Sequence, residues 1–180
     1  MKLNIITPCS RPENLHLISK SINIPKENYR WIIVFDFDEL PDKELIPENC
    51  EVYLHRNKMS TAGHAQRNYA LELIDDGYVY SNDDDTLIHP DLWENIKDIE
   101  ADFISFGQSN KDNTRRLIGN DIRVGHIDSH NFIVSRKTIG ETRFNISKYD
   151  ADGYFASDCY SKSITKVFID KSLSVYNQLR

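Results

Sequence analysis

The chain has 180 residues, of which 39% are hydrophobic and 28% are charged, as is typical of a folded globular domain. Acidic residues outnumber basic ones by 28 to 22, and the formal net charge of -6 argues against a nucleic-acid partner, since nucleic-acid-binding proteins usually carry a basic surface. No apolar run approaches the ~20 residues of a membrane-spanning helix, and the N-terminal apolar run is short. We therefore expect neither a membrane span nor a secretory signal.

The length predicts one domain over residues 1–180. Three cysteines, Cys9, Cys50 and Cys159, have no metal-ligand spacing and cannot all form disulfide pairs. A reducing, cytoplasmic setting is the expectation that follows.

Short apolar runs alternate with helical stretches along the chain. Strands are predicted at residues 3–7, 31–35, 51–55, 78–80, 102–106, 131–135 and 167–169, and helices at 11–21, 62–74, 90–99 and 153–163. This alternation predicts an α/β fold with a mostly parallel central sheet and helices on both faces. Residues 108–123 are polar and charged and are expected to form a mobile flap.

The residues that follow the strands carry the functional prediction, because open α/β sheets bind ligands at the carboxyl ends of their strands. Residues 7–12 (TPCSRP) follow the first strand and combine hydroxyls, a cation and a helix N-terminus, which suits an anion or a nucleotide. A helix cap with a surface arginine is the simpler alternative. Asp36 and Asp38 follow the second strand and could bind a base, a ribose or a metal, or form a solvated acidic turn.

The helix predicted at residues 62–74 places His64, Arg67 and Asn68 on one side near its start. These three side chains could hold a diphosphate. From this helix alone, an ordinary solvated face is the favoured interpretation.

The strongest signal is the run Asp83, Asp84 and Asp85 after the fourth strand. Three adjacent carboxylates repel one another, and a divalent cation would offset that repulsion, since carboxylates are good ligands for Mg²⁺ and Mn²⁺. Such ions keep several waters and take further ligands from substrate phosphates. A solvated acidic turn remains the alternative.

Two later segments carry carboxylates that could act as a base. Asp128 lies in residues 126–132, just before a predicted strand, and Asp152 lies at a predicted helix start, where it could instead cap the helix. The histidines lack the paired spacing of a zinc site.

Taken in order, these segments resemble the GT-A class of nucleotide-sugar-dependent glycosyltransferases, especially its family 2-like group. The similarity rests on residues 5–12 (IITPCSRP), the acid at 36 or 38, residues 63–68 (GHAQRN), the aspartates at 83–85 as a DxD motif, and residues 125–129 and 151–155. The chain also resembles the compact glycosyltransferase domains of large algal viruses.

The resemblance implies a Rossmann-like GT-A domain whose residues 1–100, approximately, bind the nucleotide sugar and whose residues 101–180 bind the acceptor. The nucleotide-sugar-binding residues that it implies are Thr7, Pro8, Arg11, Asp36 or Asp38, Arg67, Asn68, Asp83 and Asp84. Asp83 would meet the ribose, and Asp85, together with Asp83, would hold Mn²⁺ or Mg²⁺ against the diphosphate.

The implied reaction transfers a hexosyl group with inversion from a nucleoside-diphosphate sugar, a UDP-sugar first among them, to a hydroxyl of a glycan or other acceptor. Asp152 would take the proton of that hydroxyl, with Asp128 as the second choice. The family's Glu-Asp pair appears here as Ala151-Asp152, which leaves the choice of base open.

Two other functions fit parts of the sequence. Asp36 and Asp38 after an apolar strand also resemble the haloacid dehalogenase phosphatases, with Asp36 as nucleophile and Asp38 as acid-base. Leu40 stands where that group has Thr or Val, and the motif is on the second strand instead of the first. The other alternative is a non-catalytic domain that binds a sugar nucleotide.

Overall fold

Eight strands and five α-helices form the structure, a computed structural model that describes all 180 residues. The elements are β1 (Leu3–Cys9), α1 (Leu15–Ser21), β2 (Tyr29–Phe35), β3 (Glu51–Leu54), α2 (His64–Glu72), β4 (Tyr78–Ser81), α3 (Leu92–Ile96), β5 (Phe103–Ser109), β6 (Arg115–Leu117), β7 (Phe132–Ser135), α4 (Arg136–Ile139), α5 (Ala151–Lys162) and β8 (Lys166–Val175). Short 3-10 helices lie at Pro12–Asn14, Lys26–Asn28, Lys43–Leu45 and Ser129–Asn131. None of the helices has the length and apolar character that crossing a bilayer requires.

All eight strands belong to one sheet, in the order β3-β2-β1-β4-β7-β5-β6, with β8 paired to β5. Strands β1 to β4 are parallel to their neighbours, and β8 is parallel to β5. Only β6 and β7 run in the opposite direction, because β7 is antiparallel to both β4 and β5, and β6 is antiparallel to β5. The prediction of a mostly parallel sheet is confirmed.

Helices cover both faces of the sheet, and the apolar side chains of β2 pack alternately on one face and the other. Trp31, Ile33 and Phe35 pack in a core with α1 and α3, whereas Ile32 and Val34 pack in a second core with α2 and α5. Successive side chains of a strand point to opposite faces, so a strand covered on both sides is apolar throughout.

β1 extends two residues past its predicted end and includes Pro8. The carbonyl of Ile6 accepts the N–H of Asn82 on the β4 side, and the carbonyl of Cys9 accepts the N–H of Asp36 on the β2 side. Because successive residues of a strand direct their backbone groups to opposite neighbours, the backbone nitrogen of Pro8 faces β4. The pairing of β1 with β4 ends at Ile6, before Pro8. The missing N–H of proline therefore removes no ladder hydrogen bond there.

The prediction of a flap over residues 108–123 is wrong at its start and middle. Gln108 and Ser109 belong to β5 and are buried, and β6 pairs with them in an antiparallel hairpin. Arg116 donates to the side-chain oxygen of Gln108, so this polar residue has a partner inside the fold. Polarity predicted a loop here because the partner that permits burial was not visible in the sequence.

Gly119, just after β6, has φ +87°, and a Cβ at this position would overlap the carbonyl oxygen of Phe106 in β5. Gly125 has a similar φ of +81°, but a Cβ there would meet nothing within 4 Å.

We expect Gly119→Ala to lower the free energy of unfolding by about 2–5 kcal/mol. Gly125→Ala, which has only the backbone strain, should lower it by about 1–2 kcal/mol. Urea unfolding measures both, and equal losses would contradict the close packing of Gly119 on β5.

Candidate active site

A cavity of about 500 Å³ opens at the carboxyl ends of β1, β2 and β4. Twenty-six residues line it and only six of them are hydrophobic, so it suits a polar, charged ligand. Its walls come from both parts of the chain, with Arg11 and Asp36 on one side and Asp128 and Asp152 on the other. The location is the one that the sheet topology predicts for a ligand.

Asp84 holds the turn that follows β1. Its Oδ2 accepts the backbone N–H groups of Ser10 at 2.6 Å and Arg11 at 2.9 Å, and its Oδ1 accepts Arg11 Nε at 2.9 Å. The carboxylate is 2% exposed. Asp84 lines the cavity, but its side chain is committed to the turn, which argues against the predicted contact between this carboxylate and a nucleotide.

Asp85 is fully buried beneath two guanidinium groups. Arg180 Nε lies 2.6 Å and Arg11 Nη2 3.1 Å from its Oδ2, although neither makes a well-aligned hydrogen bond with that oxygen. Arg11 and Arg180 line the cavity and Asp85 does not. The predicted metal ligand is thus shielded from the cavity by arginine side chains.

Asp83 lies between Arg67 and His130. Arg67, on α2, is buried and donates to Asp83 and, at 2.8 Å, to the hydroxyl of Ser81. His130 Nε2 is 2.9 Å from Asp83 Oδ2, and His130 Nδ1 is 3.4 Å from Asp128 Oδ1. Burial alone would raise the pKa of Asp83, but the charges of Arg67 and His130 lower it below its ordinary range.

The repulsion among the three aspartates is therefore offset within the protein, by Arg11, Arg67, Arg180 and His130. The premise that this run needs a divalent cation to neutralise it is wrong, since four cationic side chains surround it. Burial alone would lower the pKa of His130, but the carboxylates of Asp83 and Asp128 raise it to about 9.

Asp128 and Asp152, the two predicted bases, differ in their partners. Asp128 caps the 3-10 helix Ser129–Asn131 and forms an ion pair with Arg116 Nη1 at 3.0 Å. Asp152, in the first turn of α5, accepts only the N–H of Gly153 at 2.8 Å. Burial and the nearby charge of Asp128 raise the pKa of Asp152. Asp152 is the better proton acceptor because no cation holds its charge.

Asp36 and Asp38 both lie in the bend after β2, but their side chains are in different surroundings. Asp36 lines the cavity and accepts Gln66 Nε2 at 3.0 Å. Asp38 is 72% exposed, does not line the cavity and pairs with Arg56. The structure therefore favours Asp36 over Asp38 as the predicted nucleotide-binding acid, because Asp36 faces the cavity.

Thr7 and Asn68 do not line the cavity either, and each is bound to other parts of the protein, which argues against their predicted contact with a nucleotide. Thr7 lies in β1 with its side chain on the α1 face, where its Oγ1 accepts Trp31 Nε1 at 2.9 Å. Asn68 makes two 2.8 Å hydrogen bonds with the backbone of Phe144. Pro8, by contrast, lines the cavity and packs closely on Gly63. A Cβ added to Gly63 would lie 2.6 Å from the Cβ of Pro8.

Among the cavity residues absent from the predicted site are three that pair with its aspartates. His130 belongs to a segment that the sequence singled out, but the histidines were weighed there only as zinc ligands. Arg116 lay in the supposed flap; it pairs with Asp128, and its guanidinium stacks 3.8 Å from the centre of the Tyr176 ring. No sequence signal marked Arg180, whose ion pair joins positions far apart in the chain.

Folding raises the pKa of His130 from its ordinary 6.5 to about 9. Such a group stabilises the fold fully below its unfolded pKa, and this contribution is lost as the pH rises through its folded pKa. We expect the free energy of unfolding to fall by on the order of 2–4 kcal/mol between about pH 6.5 and 9, and most of this fall to be absent in His130→Gln.

Urea unfolding across this pH range measures the effect. His16→Gln, at an exposed histidine, is the control and should keep the wild-type pH dependence. The same dependence in wild type and His130→Gln would contradict the assignment of a charged, buried His130.

Solved structures share this fold over nearly the whole chain. S. aureus TarS 1-349 is 15% identical, with a TM-score of 0.77 over 97% of this chain and 60% of that chain. TarS 1-349 in complex with UDP-GlcNAc is 16% identical, with a TM-score of 0.75 over 97% and 58%. The mannosyltransferase PcManGT from Pyrobaculum calidifontis, in complex with GDP-Man and Mn²⁺, is 12% identical, with a TM-score of 0.71 over 98% and 56%.

The chain thus spans about 60% or less of the length of each of these three structures. No protein-family model and no curated protein sequence matches it. At these identities the likeness concerns the fold. The chain has the fold of GT-A-type glycosyltransferases, as its sequence motifs predicted.

Proposed function

We propose that this chain is a glycosyltransferase that moves a hexosyl group, with inversion, from a nucleoside-diphosphate sugar to a hydroxyl of a glycan or other acceptor. The observation that carries the proposal is the polar cavity at the carboxyl ends of β1, β2 and β4, which Asp152 lines as a half-buried carboxylate without a cationic partner. Arginines on the same walls supply positive charge for a diphosphate.

The nucleotide would occupy the part of the cavity beside β1 and β2. Asp36 accepts from Gln66 and Asn57, and has room for a donor of the base or ribose. Asp83 lines the same cavity, oriented by Arg67 and His130, and would accept from a ribose hydroxyl. A UDP-sugar is the first donor to test, because TarS, with the same fold, binds UDP-GlcNAc; a GDP-sugar is the second, after PcManGT.

Mn²⁺ or Mg²⁺ stays a predicted cofactor that would have to be shared with the diphosphate, because no group of three acidic, histidine or cysteine side chains could form an all-protein metal site. Asp85 and Asp83 are its predicted ligands. Asp85 lies outside the cavity with Arg180 Nε 2.6 Å and Arg11 Nη2 3.1 Å from its Oδ2, and Asp83 is paired with Arg67 and His130, so these residues as arranged do not fit an ion. The arginines of the cavity walls would offset the charge that develops on the leaving diphosphate.

Asp152 would act as the general base. As the acceptor oxygen forms its bond to the anomeric carbon, the carboxylate takes the hydroxyl proton. The bond from that carbon to the diphosphate oxygen breaks, and its electron pair leaves with the nucleoside diphosphate. A raised pKa makes Asp152 a stronger base than an ordinary carboxylate, and a single displacement inverts the anomeric carbon.

The positions of Asp36 and Asp38 argue against the phosphatase alternative. A nucleophile and its acid-base partner must reach the same phosphate, whereas only Asp36 lines the cavity and Asp38 pairs with Arg56 outside it. The cytoplasmic setting stays a prediction.

Nucleotide binding is tested by calorimetric titration of UDP, GDP, CDP and dTDP, each with Mn²⁺ and with EDTA. We expect one diphosphate series to bind and Asp36→Ala to weaken it about tenfold or more, since a carboxylate hydrogen bond is lost. Asp38→Ala, the same change two residues away, should alter the affinity by less than about twofold. Absence of binding by every nucleotide would contradict the proposed function.

Transfer is tested with the sugar nucleotide that binds and a panel of glycan and other hydroxyl acceptors. Asp152→Asn should lower kcat about 10²–10⁴-fold with little change in donor affinity, because only the proton acceptor is lost. Asp150→Asn, at an exposed acid of the same cavity wall, is the matched control and should retain most of the activity. Tight nucleotide binding without transfer to any acceptor would indicate the non-catalytic domain.

A further inference from the structure

Two arginines lie between the buried aspartates after β4 and the cavity. Arg11 donates through Nε to Asp84 at 2.9 Å, and its Nη2 lies 3.1 Å from Asp85 Oδ2. Arg180 Nε lies 2.6 Å from the same oxygen of Asp85. Both arginines line the cavity, whereas Asp85 does not. The two guanidinium groups therefore cover Asp85 on the side of the cavity.

Each guanidinium keeps donors that the aspartates do not use. Arg11 Nη1 and both terminal nitrogens of Arg180 donate no hydrogen bond to the protein. The side chain of Arg11 is 28% exposed and that of Arg180 57%, so these nitrogens are open to a ligand. A guanidinium is planar, and its paired donors match the oxygens of a phosphate. The cavity thus has two sets of free phosphate-binding donors at one place.

The main chain holds both arginines at this place. The backbone N–H of Arg11 donates to Asp84 Oδ2 at 2.9 Å, which fixes the turn after β1. Leu179 donates its N–H to the carbonyl of Asp85 at 2.7 Å, which fixes the chain next to Arg180. Because these groups are positioned before a ligand arrives, little conformational entropy is lost when the ligand binds.

The balance of charge favours an anion over a divalent cation here. Arg11, Arg67 and Arg180 supply one guanidinium for each of the three aspartates at positions 83–85. A divalent ion would add two positive charges beside guanidinium groups, and like charges a few ångströms apart repel one another. A diphosphate brings the opposite charge and can bind the free donors while the ion pairs stay intact.

We propose that Arg11 and Arg180 bind the diphosphate of the nucleotide directly, through the nitrogens that the aspartates leave free, so that nucleotide binding needs no divalent ion. This inference rests on the proposed function for the identity of its ligand. It adds Arg180 to the nucleotide-binding residues, and it gives the two arginines the place that the sequence predicted for Mn²⁺ or Mg²⁺.

Wild type should bind UDP in EDTA with the same affinity, within about twofold, as in Mn²⁺. In Arg180→Ala, UDP and inorganic pyrophosphate in EDTA should bind about tenfold more weakly or worse, since charged donors to the diphosphate are lost. Uridine, which has no phosphate, should bind Arg180→Ala and wild type equally within about twofold. A merely structural role of Arg180 would weaken uridine and UDP together.

Calorimetry measures UDP and pyrophosphate, and saturation-transfer NMR measures uridine; GDP and guanosine are the second nucleotide and nucleoside to test. Arg180→Lys, which keeps the charge without the planar donors, should fall between wild type and alanine. Arg115→Ala is the matched control, because Arg115 pairs with Asp170 outside the cavity and should leave every affinity unchanged. Thermal unfolding of each variant shows that it is folded, and the comparison of EDTA with Mn²⁺ needs no variant.

Binding of UDP or GDP in Mn²⁺ that disappears in EDTA would overturn this inference and leave the proposed function intact. Equal affinities of wild type and Arg180→Ala for UDP and pyrophosphate would overturn the assignment of Arg180, and so would an equal loss for uridine and UDP. Absence of binding by UDP and GDP in both conditions would overturn the inference together with the proposed function.

Discussion

The site depends on one constraint: the three adjacent carboxylates at the end of β4 must each lie beside a cationic side chain. Asp84 and Asp85 are buried and Asp83 is half-buried, and carboxylates in such places are tolerated only beside opposite charges. Their partners come from the turn after β1, from α2, from the 3-10 helix before β7 and from the turn after β8. Neutralising one short run of acids therefore ties both parts of the chain to the carboxyl edge of the sheet.

The ion pairs also distinguish two groups of acids at the cavity: those held by cations and those available to a ligand. Carboxylates held by cations, such as Asp84 and Asp128, are committed to those partners and position the walls. Asp36 and Asp152 lack cationic partners and face the cavity, so they remain available to a ligand. The chemistry that we propose falls on these two because the rest of the negative charge is already bound.

The same arginines change the role expected of a metal ion. Sequence logic treated the acidic run as incomplete without a cation, whereas the fold supplies guanidinium groups in the positions nearest Asp85. The acidic run is therefore neutralised without an ion, and the cations nearest Asp85 are Arg11, which Asp84 also holds, and Arg180.

The sequence by itself determined the α/β class, the approximate positions of the strands, the mostly parallel character of the sheet, and the edge at which the chemistry is predicted to lie. These follow from local apolar patterns, such as the continuous apolar run of β2, and from the rule that ligands bind at strand ends. Only the tertiary structure placed Asp36 at the cavity and Asp38, Thr7 and Asn68 outside it, and brought Arg180 onto Asp85. The reason is that each of these outcomes depends on partners distant in sequence, such as Arg11 and Asp84, 73 positions apart, whose meeting no local pattern encodes.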